Sequence, residues 1–196
     1  MRDRRPGGPA LSAAAPRETL GVFGGSFDPP HVAHTLAVVY ALSAHALDRV
    51  LVVPAFRHPF DKPLAPFEHR VRMCQIAMRD LARVEVSSIE SELGGTSRTL
   101  RTLEALAERH PGAALRLLLG SDLLAETPSW QRYDRIRELA PPIVIGREGS
   151  APPDMPALPA LSSTEARRRL HAGLSTEGLL DPRVADYART HALYRS

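Results

Sequence analysis

The chain has 196 residues, of which 43% are hydrophobic and 24% charged, and these proportions exclude a disordered or fibrous protein. Its 25 basic and 22 acidic residues leave a net charge of only +3, which does not indicate a nucleic-acid-binding surface. The single cysteine, Cys74, excludes a disulfide framework, and no apolar run reaches the roughly 18 residues of a membrane-spanning helix. We therefore expect a soluble, cytoplasmic protein with no nucleic-acid or membrane partner, and the residues leave a homo-oligomer open.

Residues 1–18 are rich in Gly, Pro, Ala and Arg without hydrophobic periodicity, which predicts a disordered N-terminal tail. Over residues 19–196 we expect one domain, because short apolar runs alternate with segments of helical periodicity. The predicted elements, in chain order, are strand 20–24, helix 30–46, strand 49–54, helix 66–81, strand 84–90, helix 96–109, strand 114–120, helix 129–139 and strand 142–146. A Pro-rich loop at 150–160 is followed by two or three short helices, within a C-terminal helical part at 161–196.

Strands that alternate with helices are typical of a parallel sheet covered on both faces. Right-handed crossovers make this a doubly wound, Rossmann-like α/β domain of about five strands, with a small C-terminal helical segment. Such sheets bind ligands beyond the carboxyl ends of the strands, where the strand order reverses. The unusual segments lie there, namely GGSFDPPHVAH, AFRHPFDKP and GSD after the first, second and fourth strands.

The first of these segments begins with Gly24, Gly25 and Ser26. Adjacent glycines permit a close backbone approach, and their N–H groups are able to point at a phosphate. The chain has neither a GxxxxGK[ST] nor a GxGxxG sequence, so the common nucleotide fingerprints do not identify this loop.

The same segment leads into a helix that carries His31 and His34. Asp28 suits the N-cap of this helix, and Pro29 suits its first position. A spacing of three places both imidazoles on one face, beside the positive end of the helix dipole. Three interpretations remain open from these residues: two solvated histidines, a metal site that includes Asp28, and a phosphate site.

The whole string GGSFDPPHVAH resembles the signature of nucleotidyltransferases with an H-x-G-H motif, with Ala33 in place of the glycine. GSD followed by Trp130, the segment LSSTEAR and the C-terminal GLLDPRVADYARTHALYRS are similar to nicotinate mononucleotide adenylyltransferases, so the resemblance covers about residues 20–196. It implies an enzyme of NAD biosynthesis that transfers the adenylyl group of ATP to nicotinate mononucleotide, giving deamido-NAD and pyrophosphate. Mg²⁺ is implied with ATP, because the leaving pyrophosphate needs its charge neutralised.

The resemblance also assigns residues. It implies that His31 and His34 contact the α-phosphate region of ATP and that Lys62, the only lysine, adds a positive charge. It places Arg167 at the β- and γ-phosphates. The further residues that it implies are Gly24, Gly25, Ser26, Phe27, Gly120, Asp122, Ser162, Ser163 and Thr164 for ATP, and Thr99, Arg98 and Trp130 for the mononucleotide.

Several of these residues also have a purely structural interpretation. Trp130 with Tyr133 and Ile136 forms a helical stripe that is equally typical of core packing. Asp122 suits an ordinary N-cap. LSSTEAR contains an S-x-x-E capping box and suits the start of a surface helix.

Departures from the family pattern concern the substrate more than the reaction. Arg98 replaces a family aromatic beside Thr99. An arginine able to pair with a carboxylate favours the acid over the amide mononucleotide, and a solvated helix residue is an equally open interpretation. Ala33, and Asp61 in place of a family histidine beside Lys62, keep open a nucleotide-binding module without turnover. Nicotinamide mononucleotide or another phosphorylated acceptor also remains open, whereas an RNA-binding domain would need a basic stripe with exposed aromatics, and aromatics are only 5% of the chain.

Overall fold

The computed structural model describes residues 18–57 and 63–195. The predicted tail lies outside these residues except for Glu18, which begins the first strand. Its backbone pairs with Ala113, so the sheet extends to this residue, and its carboxylate accepts a hydrogen bond from Nε of Arg49 at 2.6 Å.

The described residues form six strands and seven α-helices. In chain order these are β1 (Glu18–Gly25), α1 (Val32–Ala44), β2 (Arg49–Pro54), α2 (Phe67–Met78), β3 (Val84–Val86), α3 (Ile89–Leu93), α4 (Thr99–Arg109), β4 (Ala113–Gly120), α5 (Tyr133–Leu139), β5 (Pro142–Arg147), β6 (Ala157–Leu158), α6 (Ser163–His171) and α7 (Pro182–Thr190). Two short 3₁₀ turns, Ser121–Leu123 and Thr127–Ser129, lie between β4 and α5. None of these helices has the length and hydrophobicity needed to cross a membrane.

The sheet is parallel, and its strand order is β3-β2-β1-β4-β5-β6. The order reverses between β1 and β4, which is the doubly wound, Rossmann-like arrangement that the sequence predicted. Alternate residues of each strand face opposite sides of a sheet. Val50 and Val52 accordingly pack with α1 and α2, whereas Leu51 and Val53 pack with α3, α4 and α5.

The third strand ends earlier than predicted. It stops at Val86, and Ile89–Leu93 forms α3 instead of continuing the strand. The Ile89 N–H donates to Oγ of Ser87, and Oγ of Ser91 donates to the Ser88 carbonyl. Serine hydroxyls compete in this way for backbone groups that a strand would use, so they turn the chain into a helix.

A sixth strand lies within the predicted Pro-rich loop. Ala157 and Leu158 pair with Gly146 and Arg147 of β5. A Cβ on Gly146 would lie 2.3 Å from the Pro156 carbonyl oxygen, so only glycine permits this close approach. A strand of only two residues is too short to show hydrophobic periodicity, so the sequence did not predict it.

The helix predicted at 129–139 begins only at Tyr133. A 3₁₀ turn ends at Ser129, and Arg132 has a φ of 57°, which a helix interior excludes. Trp130 therefore lies before the helix rather than on a helical stripe with Tyr133 and Ile136.

The C-terminal helices form a third hydrophobic cluster around Met73 of α2. The end of α7 closes with a Schellman motif, because the Leu193 N–H donates to the Ala188 carbonyl and the Ala192 N–H donates to the Arg189 carbonyl. Ala192 has a φ of 51°, a position that glycine usually occupies. The motif turns the backbone, and Leu193 and Tyr194 beyond it pack against the same cluster.

We expect Ala192→Gly to raise the free energy of unfolding by roughly 1 kcal/mol. The left-handed conformation crowds an alanine Cβ against its own backbone, and glycine removes that cost. Urea denaturation of the two proteins measures the difference, and Ala188→Gly, inside α7, is the matched change that should destabilise. A lower unfolding midpoint for Ala192→Gly than for the wild-type protein would contradict the assignment of the motif.

Candidate active site

The predicted site lies at the carboxyl ends of β1, β4 and β5. Gly24 is exposed at the end of the central strand, and a Cβ there would meet nothing within 4 Å. The loop then folds back, so that the ring of Phe27 would lie 3.1 Å from a Cβ on Gly25. Phe27 has a φ of 47° and belongs to the hydrophobic core. Its side chain therefore supports the loop from below, and only its backbone is available to a ligand.

His31 and His34 stack at the start of α1. Their ring centroids are 3.7 Å apart and the rings are inclined by 21°. The His31 N–H donates to Nδ1 of His34 at 3.0 Å, which leaves the other ring nitrogen, Nε2, as the N–H donor of a neutral His34. The ring of Phe27 lies 4.9 Å from that of His34 and fixes it from the core side.

Burial lowers the pKa of both histidines. The pKa of His31 falls to about 4, first through burial and then through the positive charge of Arg147. Burial, His31 and Arg147 hold the pKa of His34 well below its ordinary value. Both rings are therefore neutral near pH 7, and Nδ1 of buried His31 has no hydrogen-bond partner among the described residues.

This shift of the His31 pKa predicts a pH-dependent stability. Between about pH 6.5 and pH 4 the unfolded chain binds a proton at His31 that the folded chain excludes. His31 alone should therefore lower the free energy of unfolding by about 3 kcal/mol as the pH is lowered through this window. Denaturation of His31→Gln across the same range should show a shallower fall than that of the wild-type protein. Parallel curves for the wild-type protein and His31→Gln would contradict the prediction.

Asp28 is not the N-cap that the sequence predicted. His31 occupies that position, and α1 begins at Val32 rather than near Pro29. The Asp28 carboxylate is buried and instead accepts hydrogen bonds from the Ala65 N–H at 3.2 Å and from a tyrosine hydroxyl described below. A carboxylate so engaged is a poor metal ligand, and no group of three or more His, Cys, Asp or Glu residues suited to a metal occurs in the described part of the chain.

The start of α6 docks onto the loop before the histidines. The Ser163 hydroxyl donates to the Pro29 carbonyl at 2.9 Å, and Nη1 of Arg167 donates to the Asp28 carbonyl at 2.7 Å. Nη2 of Arg167 donates to Oγ1 of Thr164 at 3.2 Å. The structure thus brings the LSSTEAR segment beside the histidine segment, over a sequence separation of 139 residues.

The capping box predicted at this helix forms only in part. Oγ of Ser162 accepts the Glu165 N–H at 3.2 Å, as an N-cap does. The Glu165 carboxylate does not return to Ser162, because it pairs with Arg168 and Arg169. Those ion pairs lower the pKa of Glu165 to about 2.

Asp122 lies at the end of β4 and pairs with Arg147 at the end of β5. Nη1 of Arg147 is 2.9 Å from Oδ2 of Asp122, and its Nη2 donates to the Leu161 carbonyl at 2.8 Å. A Cβ on Gly120 would lie 2.4 Å from Oδ1 of Asp122, so glycine leaves the space for this carboxylate. Arg147 therefore links the end of β4 to Leu161, the residue before Ser162, and Ser162 is the N-cap of α6.

Two arginines of the site, Arg147 and Arg70, were not predicted from the sequence. Arg147 directly follows the last predicted strand. Because ligands bind beyond the carboxyl ends of the strands, its position marked it as a candidate as well as Asp122. Arg70 is 1% exposed and donates to the carbonyls of Ser26, Phe56 and Ala65. Burial lowers the pKa of Arg70. Its position inside α2 offered no signal that distinguished it from a solvated helix residue.

The residues predicted for the mononucleotide lie after β3 and β4. Trp130 is half-buried, packs against the second hydrophobic cluster and contacts Tyr133 edge-to-face, with ring centroids 6.1 Å apart.

Arg98 is the exposed N-cap of α4 and Thr99 is its first residue. Ser97 anchors this helix start, because its Oγ accepts the N–H of Phe56 at 2.9 Å. Leu100 of α4 packs on the same cluster as Trp130, so both lie on one side of the sheet. Lys62 and Asp61 lie outside the described residues.

The chain is a doubly wound, parallel α/β protein with a histidine pair at the switch point of its sheet. The cytidylyltransferase-like family model matches residues 22–169. A "probable nicotinate-nucleotide adenylyltransferase" of Anaeromyxobacter dehalogenans is 49% identical over 180 residues, covering 90% of this chain and 96% of the relative. A relative from Myxococcus xanthus with the same name is 38% identical, with 91% and 96% covered. The chain belongs to the nicotinate-nucleotide adenylyltransferase family of cytidylyltransferase-like proteins.

The fold is also that of solved structures. The nicotinic acid mononucleotide adenylyltransferase of Plasmodium falciparum, solved in complex with NaAD, superposes with a TM-score of 0.78. The match covers 91% of this chain and 98% of that one at 24% identity. At this identity the likeness concerns the fold.

Proposed function

We propose that this protein is a nucleotidyltransferase of NAD biosynthesis that joins ATP and nicotinate mononucleotide to give deamido-NAD and pyrophosphate. The observation that carries the proposal is the stacked, neutral pair of His31 and His34 at the switch point, with α6 docked beside it. Relatives of nearly equal length bear the name of this activity.

The reaction needs no protein nucleophile. A 5′-phosphate oxygen of the mononucleotide attacks the α-phosphorus of ATP in line, the new P–O bond forms, and the bond to the pyrophosphate oxygen breaks. The protein supplies position and stabilises the charge on the phosphoryl oxygens. Neutral rings serve this purpose, because Nε2–H of His34 is a fixed donor that needs no proton transfer before the step.

The β- and γ-phosphates bind beside the start of α6 in this proposal. Ser162 supports that site as a cap, while backbone N–H groups at the helix start and the hydroxyl of Thr164 face the phosphates. Arg167 uses only part of its guanidinium on Asp28 and Thr164, so its remaining N–H groups are available to an anion.

The first loop and the end of β4 complete the proposed ATP site. Gly24, Gly25 and Ser26 offer backbone N–H groups, and the open surface over Gly24 suits a close approach of the nucleotide. Gly120 and Asp122 lie across the switch point from them, where the Asp122 carboxylate suits nucleotide hydroxyls. Lys62 adds a positive charge in the same proposal.

Mg²⁺ enters with the nucleotide in this proposal. The described residues offer no cluster of carboxylates for a resident ion, and Mg²⁺ readily takes phosphate oxygens and water as ligands. When bound it neutralises charge on the leaving pyrophosphate.

The mononucleotide binds on the side of Trp130, Thr99 and Arg98. A flat, half-buried indole suits a pyridinium ring, and a guanidinium at the start of α4 suits a carboxylate. The same reasoning supports the acid rather than the amide as substrate.

A cytoplasmic location fits the one cysteine, Cys74, which is a buried free thiol.

Release of pyrophosphate from ATP and Mg²⁺ tests the proposal, with nicotinate and nicotinamide mononucleotides offered in parallel. We expect kcat/KM to be at least about tenfold higher for the acid, because a paired carboxylate adds a charge-assisted hydrogen bond. Preference for the amide would keep the reaction and overturn the substrate. Binding of ATP without release in either assay would overturn turnover itself and favour another acceptor or a non-catalytic module.

A further inference from the structure

We infer that the C-terminal end of the chain is part of the active-site framework, with Tyr194 as a positioning residue that holds Asp28 and thereby the histidine pair. The kinetic part of this inference rests on the proposed function. Its structural part, a bond that orders the loop before His31, does not.

The contact joins the two ends of the domain. The Tyr194 hydroxyl donates to Oδ1 of Asp28 at 2.7 Å, across a separation of 166 residues. Asp28 is only 1% exposed, so its carboxylate depends on protein donors instead of water. Burial, together with the neighbouring carboxylate of Asp28, raises the pKa of Tyr194, so the hydroxyl keeps its proton as a donor.

Asp28 collects donors from three separate segments. Tyr194 and the Ala65 N–H share Oδ1, and Nη1 of Arg167 lies 3.6 Å from Oδ2. The same Arg167 nitrogen donates to the Asp28 carbonyl. Asp28 therefore joins the loop after β1 to the segment before α2, to α6 and to the C-terminus, and each donor that is removed loosens the others.

The chain end is shaped to make this contact. The Schellman motif turns the backbone at Ala192, and Leu193 packs into the third hydrophobic cluster. Tyr194 itself has a φ of 63°, which is unfavourable for a bulky side chain. Such a conformation persists only where surrounding contacts determine it, and the hydroxyl bond to Asp28 is the polar contact that does so here.

The contact at Asp28 affects the histidine pair because the two are close in the sequence. Asp28 lies three residues before His31, and the intervening Pro29 carries the carbonyl that accepts the Ser163 hydroxyl. A displacement of this short loop moves the His31 N–H that fixes the ring of His34. Misplacement of a catalytic group by about 1 Å reduces rates by up to about a hundredfold.

The test compares Tyr194→Phe with Tyr187→Phe. Both variants lose one hydroxyl from the C-terminal helical part at 161–196. The hydroxyl of Tyr187, however, bonds to Nδ1 of His69 at 2.9 Å and does not touch the active-site loop. We expect Tyr194→Phe to lower kcat about tenfold with the KM for ATP little changed. Tyr187→Phe should keep the wild-type kcat. Urea unfolding of both variants identifies any loss that comes from stability alone.

A second measurement separates the inference from the proposed function. Hydrogen exchange of the His31 amide reports its bond to Nδ1 of His34, whatever reaction the protein catalyses. Exchange should be about tenfold faster in Tyr194→Phe than in Tyr187→Phe or the wild-type protein. If the wild-type protein turns over neither mononucleotide, the proposed function fails and this exchange rate alone decides the inference. An unchanged exchange rate, or equal changes in both variants, overturns it, as does an unchanged kcat in Tyr194→Phe of an active enzyme.

Discussion

We expect His34→Ala to lower kcat by about 10²- to 10³-fold, the usual effect of removing one preorganised donor from a site where charge develops. The ring of His34 is held by the His31 N–H on one nitrogen and by Phe27 on its face, so its free N–H points in one direction only. Alanine removes both this donor and the acceptor that caps α1. Initial rates of pyrophosphate release at saturating substrates measure the effect.

His34→Gln separates these two losses. Glutamine at the third helical position is a usual partner in a capping box, so it restores the acceptor for the His31 N–H but not the imidazole donor. We expect it to unfold at the wild-type urea concentration and still to lose kcat by at least about tenfold. His45→Ala, at the opposite end of α1, is the matched control and should keep the wild-type rate. Near-normal turnover in His34→Ala would remove this residue from the proposed mechanism.

The second large effect concerns Arg147. We expect Arg147→Gln to lower kcat/KM for ATP by about 10- to 100-fold, because one guanidinium holds Asp122, supports the entry to α6 and places a positive charge near the histidines. Arg116→Gln is the matched control, since the guanidinium of Arg116 bonds to the Pro141 carbonyl from the body of β4. Its kcat/KM should equal that of the wild-type protein.

The pKa of His31 provides an independent readout of the same substitution. The charge of Arg147 lowers this pKa, so its removal should raise the pKa above its value of about 4. Burial is the larger cause and remains, so the pKa stays below 6.5. An NMR titration of the imidazole in both proteins measures the change. An unchanged pKa together with an unchanged kcat/KM would return Arg147 to the role of a surface ion pair.

The sequence predicted the α/β class and the edge of the sheet that carries the site. Apolar periods distinguish strands from helices locally, and both faces of the sheet are buried, so the strands appear as nearly continuous apolar runs. The spacing of His31 and His34 and their place after β1 predicted that both lie on one face, whereas their assignment to phosphate came from the family resemblance of the whole segment. The roles of individual residues within the site stay predictions.

What the sequence by itself determined is therefore the order of the elements and the chemical groups at the strand ends. Only the tertiary structure decided which partner each group takes. Asp28 suited an N-cap, yet it is held by Tyr194 over 166 residues. Arg70 was indistinguishable from a surface arginine, and Arg147 differed from one only by its place at a strand end, until folding brought distant carbonyls and a carboxylate to them. The physical reason is that periodicity and capping depend on neighbours within about one helical turn, whereas a buried polar group takes whichever partner the packed chain places beside it.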